Sequence, residues 1–484
     1  MLAQAGFPEP REGPDILGLS ADSRSIRPGF LFAALPGAKA DGRAFIAEAV
    51  ARGAAAVLAP EGTEWPPGVP PRPLLTDADP RAALARMAAA FHGAQPELCV
   101  GVTGTNGKTS TVEFLRQFWS AAGRSAASLG TLGLRAPGFP AGASLTTPDP
   151  VALHATLASL AKAGVTHAAM EASSHGLDQR RVEGVRFRAA GFSNLTRDHL
   201  DYHGTMEAYR AAKLRLFGAL LPPGAAAAAN ADMDAETLSA IRATARERRL
   251  RLLTAGEAGA DVRLLDWAPL PEGQALLLDA FGTVAEVMLP LPGRFQADNV
   301  MLALALAVAT GVAPPLALAA IELLEGVRGR MERVAVLPNG AAVYVDYAHT
   351  PDALARLLAA LRPHVAPGAR LHVLFGAGGD RDPGKRPLMG EAAAQGADTV
   401  WITDDNPRAE DPAAIRAAVK AGAPEAFEIG GGREAAIAAA LAALGPGDVL
   451  AVAGKGHEPG QEIAGVVHPF DDAEVVRRLA GAAG

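Results

Sequence analysis

The chain has 484 residues, 49% of them hydrophobic and 20% charged, with a formal net charge of −7. That composition excludes a disordered chain and leaves room for roughly three domains at about 150 residues each. No basic tract offers itself to a nucleic-acid backbone, so no nucleic acid is expected as partner, and the lone Cys99 excludes an internal disulfide and suits a reducing compartment.

Met1-Leu-Ala-Gln-Ala-Gly-Phe-Pro-Glu-Pro10 has neither a basic start nor a long apolar core, so no signal peptide is expected and the cytoplasm is the expected location. Residues 1–95 read as a small α/β domain. Phe30–Leu35 and Ala54–Ala59 are its expected strands, with helices over 42–51 and 80–93. Residues 96–326 alternate strand-like and helix-like segments, which predicts a parallel sheet wrapped by helices. Leu98-Cys-Val100 ends its first strand, and Thr166–Glu171 is a second buried strand. Val300 to Ile321 is uncharged and long enough to span a membrane, but Gly311 and Pro314-Pro315 interrupt it. Two short buried helices are therefore expected, and no membrane span. A last domain over 327–484 carries strands at Ala342–Asp346, Leu371–Phe375, Thr399–Thr403 and Asp448–Val452. Each ends at a Gly- or Asp-rich turn, where ligands of open α/β sheets bind.

The most specific local signal is Gly101-Val-Thr-Gly-Thr-Asn-Gly-Lys-Thr-Ser110. It joins the Leu98–Val100 strand to a helical pattern at Thr111–Trp119. Gly104, Thr105, Asn106 and Gly107 would wrap backbone N–H groups around phosphate oxygens at a helix N-terminus. Lys108 would reach the outer phosphates, and Thr109 would sit on Mg²⁺, with Ser110 following. ATP is the expected cofactor. The loop is shorter than the common P-loop, which has Gly where Val102 stands.

Other clusters are ambiguous by themselves. Glu171, in Met170-Glu-Ala-Ser-Ser-His-Gly176, reads as a metal-holding acid or as a surface carboxylate. Asn194-Leu-Thr-Arg-Asp-His-Leu-Asp-Tyr-His-Gly-Thr205 is rich in ligand-type side chains yet also fits a solvated loop. Lys213, fourteen residues after His199, reads from residue type alone as a helix-surface lysine.

Taken in order, these motifs resemble the Mur ligase family of peptidoglycan synthesis. The set includes Asp22-Ser-Arg24, Asp41-Gly-Arg43, Thr103 to Ser110, Thr146-Thr-Pro148, Glu171 to Gly176, Asn194 to Thr205 and Asn230-Ala-Asp232. It continues through Arg328-Gly-Arg-Met-Glu332, Asp346-Tyr-Ala-His-Thr-Pro-Asp352, Gly378-Gly-Asp-Arg-Asp382, Asp404-Asp-Asn-Pro-Arg408 and Gly454-Lys-Gly-His-Glu458. The resemblance implies an α/β fold of three domains: a small N-terminal α/β domain, a central P-loop-type parallel-sheet ATPase and a C-terminal Rossmann-like domain.

It also implies an ATP-dependent ligase that adds an amino acid, here meso-diaminopimelate, to UDP-N-acetylmuramoyl-L-alanyl-D-glutamate through an acyl phosphate. On that resemblance Lys213 would be N-carboxylated by CO₂. With Glu171 and His199 it would hold one of two Mg²⁺ ions, and Thr109 would touch the other. Asn299, Arg330 and Asp346 would meet the nucleotide, with Lys108 and Arg330 neutralising the transferring phosphoryl group. Ser23 and the loop Ala38-Lys-Ala40 would hold the UDP part. Thr146, Thr147, Ser173, Gln179 and Arg181 would hold the muramoyl dipeptide. Arg381, Asp405, Asn406, Pro407, Arg408, Gly454 and Glu458 would form the amino-acid pocket. Arg408 would pair with the distal carboxylate of diaminopimelate and Glu458 with its ammonium. The partners are then small molecules, and a monomer is expected.

Some positions depart from the family pattern. Gln296 stands where relatives carry Asn, Ser110 replaces Thr, Pro459-Gly460 replaces an Asp-Tyr pair, and Leu145 replaces an Asn. Three rivals are set aside by residues: a lysine-adding ligase by Arg408, a folylpolyglutamate synthetase by residues 1–95, and an ATP-hydrolysing switch or motor by Lys213 and the third-domain motifs.

Overall fold

The computed structural model describes residues 13–37, 40–140, 146–270 and 272–482. Met1–Pro10, Ala38, Lys39 and Leu145 lie outside them. The chain divides into two compact units, one of residues 1–255 and 302–312, the other of 256–301 and 313–484.

The first unit opens with a parallel four-stranded sheet in the order Gly18–Ser20, Phe30–Ala33, Ala56–Pro60, Leu74–Asp77. Leu31, Ala33, Ala56 and Leu58 pack on the helix Pro80–His92, which Asp79 caps at Ala82. A second sheet follows. Its parallel strands run in the order Arg251–Gly256, Ala226–Asn230, Phe187–Phe192, Leu98–Thr103, His167–Glu171, Ala126–Gly130. The edge strand Gly133–Arg135 pairs antiparallel. Leu98–Thr103 is central and buried on both faces, as its unbroken apolar run requires. The helix after it, Lys108–Ala121, is fixed by Phe114, Leu115, Phe118 and Trp119, none of which reaches solvent. Each such burial contributes on the order of 2 kcal/mol. Cys99 is a packed thiol whose burial pushes it up to about 12.

The stretch read as uniformly parallel contains an exception in the second unit. Val262–Leu270, Gly273–Ala280 and Thr283–Leu289 form an antiparallel meander. Its strand Gly273–Ala280 alternates buried and half-exposed positions, the mark of a one-sided sheet. Its second turn closes at Gly282, with φ +82° and its N–H donated to Asp279. The interrupted apolar stretch becomes two helices, Arg294–Ala309 and Pro314–Ala320. Among the described residues no helix is long and apolar enough to cross a membrane.

The rest of the second unit is a six-stranded sheet in the order Glu332–Val336, Ala342–Asp346, Val449–Ala453, Leu371–Phe375, Thr399–Ile402, Phe427–Glu428. All its pairings are parallel except the first. Its parallel strands point their carboxyl ends at one edge, where Asp346, Gly454 and the loop Asp404–Arg408 follow.

Candidate active site

In the first unit, the phosphate loop is a backbone cage. Gly104 has φ +141°, and a Cβ there would come within 2.0 Å of the Ser193 hydroxyl. Gly107 is left-handed and caps the helix, which begins at Lys108 rather than at Thr111. The loop is stitched to residues 193–196. Thr105 N–H donates to the Asn194 carbonyl at 2.8 Å, Asn106 N–H to the Asn194 side chain at 3.0 Å, and the Ser193 hydroxyl to the Asn106 carbonyl at 2.5 Å. Residues that the sequence marked only as a ligand-rich loop thus brace the cradle.

Two lysines meet on one carbonyl. Lys108 Nζ donates to Gly104 O at 3.0 Å and to Thr105 O at 2.7 Å. Lys213 Nζ donates to Gly104 O at 2.7 Å and lies 4.4 Å from the centre of the Tyr209 ring. Lys213 is 1% exposed, so it is no surface lysine. Burial, reinforced by the neighbouring Lys108 charge, lowers it to about 6. Burial also lowers Lys108, against the opposing pull of Glu171 and Asp198.

Glu171 is buried at its strand end. It accepts from the Thr109 hydroxyl at 2.9 Å and from the Thr131 N–H at 2.7 Å. The close approach needs Gly130, where a Cβ would sit 2.0 Å from the carboxylate. Thr131 and Gly130 escaped the sequence reading, because nothing in a two-residue turn announces a carboxylate packed above it. His199 is left-handed at φ +51°, with its ring 4.9 Å from that of His175 and its Nε2 3.5 Å from Asp198. Among the described residues no three or more His, Cys, Asp or Glu side chains converge on a cation position.

The five residues assigned to the dipeptide adjoin this centre as one network. Thr146 meets Thr131 hydroxyl to hydroxyl at 3.0 Å. Thr147 contacts the Glu171 carbonyl at 3.1 Å and the Ser173 hydroxyl at 3.0 Å. Arg181 donates to the Thr147 carbonyl at 2.8 Å and to Gln179 at 2.7 Å. Ser23, in the N-terminal sheet domain, is buried and donates to Glu48 at 2.9 Å.

In the second unit, Asn299 is buried and donates its amide to Gln296 Oε1 at 3.1 Å, so the departure at 296 gives Asn299 a partner. Asp346 accepts the N–H groups of Met331 and Ala348 at 2.7 and 2.8 Å, and burial raises its carboxyl. Arg330 lies 5.2 Å from the Tyr347 ring centre. The loop Asp404–Arg408 holds the densest cluster. Asn406 donates to Glu458 at 3.0 Å and accepts from the buried Lys455 at 3.0 Å. Gly454 has φ +117°, and a Cβ there would meet Asp405 at 2.5 Å. Burial raises the Asp405 carboxyl. Arg408 donates to the Gly379 carbonyl at 2.7 Å and is ion-paired with Glu462 at 3.2 Å. Arg381 and Arg408 flank Gly378. Lys455 and Glu462 were missed; Glu462 lies in a hairpin whose motif departs from the family pattern.

Comparison with known proteins covers the whole described chain. Residues 15–92 match the catalytic domain of the Mur ligase family, 102–307 its middle domain and 329–456 its glutamate ligase domain. A protein from Caulobacter vibrioides named UDP-N-acetylmuramoyl-L-alanyl-D-glutamate–2,6-diaminopimelate ligase is 55% identical over 97% of this chain and 96% of its own. A solved structure of a ligase of that name superposes with TM-score 0.77 at 35% identity, covering 100% of this chain and 99% of that one. A folylpolyglutamate synthase from Mycobacterium tuberculosis, solved with ADP, shares the fold alone, with TM-score 0.58 at 20% identity over 77% of this chain and 91% of that one.

Proposed function

The chain belongs to the Mur ligase family, and from that premise we propose that it joins meso-diaminopimelate to UDP-N-acetylmuramoyl-L-alanyl-D-glutamate at the expense of ATP. It is an ATP-dependent, amide-forming ligase of peptidoglycan precursor synthesis with the three-domain α/β architecture of that family. The observation that carries the amino-acid assignment is end-to-end identity of 55% with a ligase named for that reaction. The cluster around Arg408 supports it, since a guanidinium paired with the half-exposed Glu462, in the loop that also carries the buried Asp405, suits a zwitterionic second amino-acid centre.

The chemistry is the one that membership of the family implies. The side-chain carboxylate of D-glutamate takes the terminal phosphoryl group of ATP, ADP leaves, and the amine of diaminopimelate attacks the acyl phosphate. The tetrahedral adduct loses phosphate, leaving an amide. Lys108 and the N–H groups of the phosphate loop would hold the phosphate chain, and Asn299, Arg330 and Asp346 the rest of the nucleotide. Thr146, Thr147, Ser173, Gln179 and Arg181 would orient the dipeptide, with Ser23 and residues 38–40 on the uridine side.

A buried amine lowered to about 6 is neutral at neutral pH. Such an amine can attack CO₂, lose a proton and become a carbamate. The hard oxygens of Thr109, Glu171 and that carbamate, with His199, suit Mg²⁺. Two such ions, when bound, would supply charge neutralisation at the transferring phosphoryl group. A cytoplasmic monomer working on small molecules completes the reading.

The test is phosphate release from ATP with the UDP-dipeptide, comparing meso-diaminopimelate with L-lysine. Release with diaminopimelate alone is expected. Release with lysine as well would remove the role given to Arg408, and release with neither amino acid would end the proposal.

A further inference from the structure

The pocket assigned to the distal end of the amino acid has a second tier. Gly460–Ile463 and Val466–Pro469 form a two-stranded antiparallel hairpin. Its first strand is sewn to the loop Asp404–Arg408 at Gln461 and Glu462, and the turn that follows returns to it at Ala464. Gln461 donates its amide to the Asp405 carbonyl, at 2.5 Å. Glu462 N–H donates to Asn406 Oδ1 at 2.9 Å. Arg408 N–H donates to the Glu462 carbonyl at 3.1 Å, and Ala464 N–H returns to the Arg408 carbonyl at 2.7 Å.

Arg408 is left-handed at φ +52°, a conformation a non-glycine residue holds only when its surroundings impose it. The hairpin imposes it. The side chain is fixed as well. Its Nε stands 3.2 Å from Glu462 Oε2, and its Nη1 donates to the Gly379 carbonyl at 2.7 Å. Nη2 has no hydrogen-bond partner among the described residues. The side chain is 22% exposed and that of Glu462 39%. The guanidinium is thus anchored on two sides, with Nη2 left without a partner among the described residues.

We propose that Glu462 is a positioning residue for amino-acid selection, holding the Arg408 guanidinium so that its free edge presents to the substrate's distal carboxylate. The proposal rests on the reading of Arg408 as the carboxylate partner. A long, flexible arginine otherwise loses rotamer freedom when the substrate binds. A preset one loses less, and the planar fork rewards a fixed orientation. Glu462 touches no reacting atom. Its effect belongs in the KM for diaminopimelate and not in kcat, in ATP or in the UDP-dipeptide.

E462Q removes the charge and keeps the size, at a half-exposed site where the fold is retained. The expected result is a rise of ~3- to 5-fold in the KM for meso-diaminopimelate, the effect of losing one partly exposed charged partner. Turnover and the other two KM values should hold within about twofold of wild type, and the melting temperature should stay where it is. E462D should recover part of the loss. In an R408A background E462Q should add nothing, since the two act as a unit. An unchanged KM in E462Q overturns the proposal, and so does a full additional loss on top of R408A. R408A that keeps the wild-type KM would instead overturn the pocket reading on which the proposal stands. R408A impaired with E462Q unaffected would overturn the positioning role alone.

Discussion

The phosphate loop and the loop Asp404–Arg408 are built alike and charged differently. Each lies at the carboxyl end of a parallel strand beside a glycine of positive φ, Gly104 after Leu98–Thr103 and Gly454 after Val449–Ala453. Each buries a lysine almost completely, Lys213 at 1% exposure and Lys455 at 0%. Lys455 has the Glu458 carboxylate at 3.4 Å and the Asn406 amide at 3.0 Å. Lys213 has one carbonyl, one aromatic ring and a second lysine nearby. Burial and the Lys108 charge, with only the Asp198 charge opposing them, lower Lys213 to about 6, so its amine is neutral at neutral pH. On the proposed function, the Asp404–Arg408 loop reads charge on the amino acid, and Lys213 beside the phosphate loop supplies a carboxylate.

The sharpest way to break that contrast is to remove the unpaired lysine. Lys213→Ala should lower kcat by about a thousandfold, the scale of losing one electrostatic stabiliser of a transition state. Added formate or acetate, which restores a carboxylate to the gap, should return part of the rate. Steady-state phosphate release reads both. A variant within tenfold of wild type would mean that the buried amine is inert.

The same lysine should weaken the fold, and the sign is definite. Between about pH 6 and the ordinary lysine value of 10.5, the folded chain holds Lys213 neutral while the unfolded chain keeps it charged. The unfolded state then binds more protons, so stability rises with pH across that window. Lys213→Met escapes this term. In CO₂-free buffer it should be more stable than wild type by about 2–4 kcal/mol at pH 7, with the advantage shrinking toward pH 10. Urea midpoints at four pH values check it. An advantage that does not change with pH would contradict the neutral amine.

The two glycines offer a matched pair. Gly104→Ala drives a Cβ into Ser193 and the Asn194 backbone, and Gly454→Ala drives one into Asp405. Each should destabilise by about 1–3 kcal/mol through backbone strain. The functional losses should separate, with Gly104→Ala raising the KM for ATP and Gly454→Ala that for the amino acid. Identical profiles would mean that the two loops do not divide the work.

These regions also differ in how far the sequence disclosed them. The phosphate loop is a run of consecutive residues, so its glycines, Lys108 and Thr109 could be read directly, and the strand before it and helix after it were expected within a few residues. Lys213 looked like a surface lysine because residue type carries no information about burial, and only the family resemblance singled it out. Glu171 was legible as a strand-end acid. Its dependence on Gly130 and Thr131 was not, because that contact joins segments forty residues apart. The meander at Val262–Leu289 was missed, since apolar Leu265, Val284 and Met288 stand at outward positions and hide the alternation of a one-sided sheet. Glu462 acts through a hairpin more than fifty residues from Arg408 and has no motif of its own.

The smallest expected effect lies behind the nucleotide residues of the second unit. His364 is 1% exposed and uses both ring nitrogens. Nε2 accepts the Gly293 N–H at 2.7 Å, and Nδ1 faces the Leu270 carbonyl at 2.7 Å. This assignment requires the neutral ring, with its proton on Nδ1, and burial lowers the imidazole from its ordinary 6.5. The stability it brings is complete above that value and is lost as pH falls through the folded one, because protonation puts a donor against the Gly293 donor. Gly293 precedes the helix that carries Gln296 and Asn299, so the hook sets where that helix begins. His364→Gln should lower stability at pH 7.5 and flatten its fall between pH 6.5 and 5 by about 1 kcal/mol. It should disturb the KM for ATP before that for the amino acid. The Asp404–Arg408 loop has its own anchors in the hairpin, so an equal effect on both substrates would show that the two loops share a support.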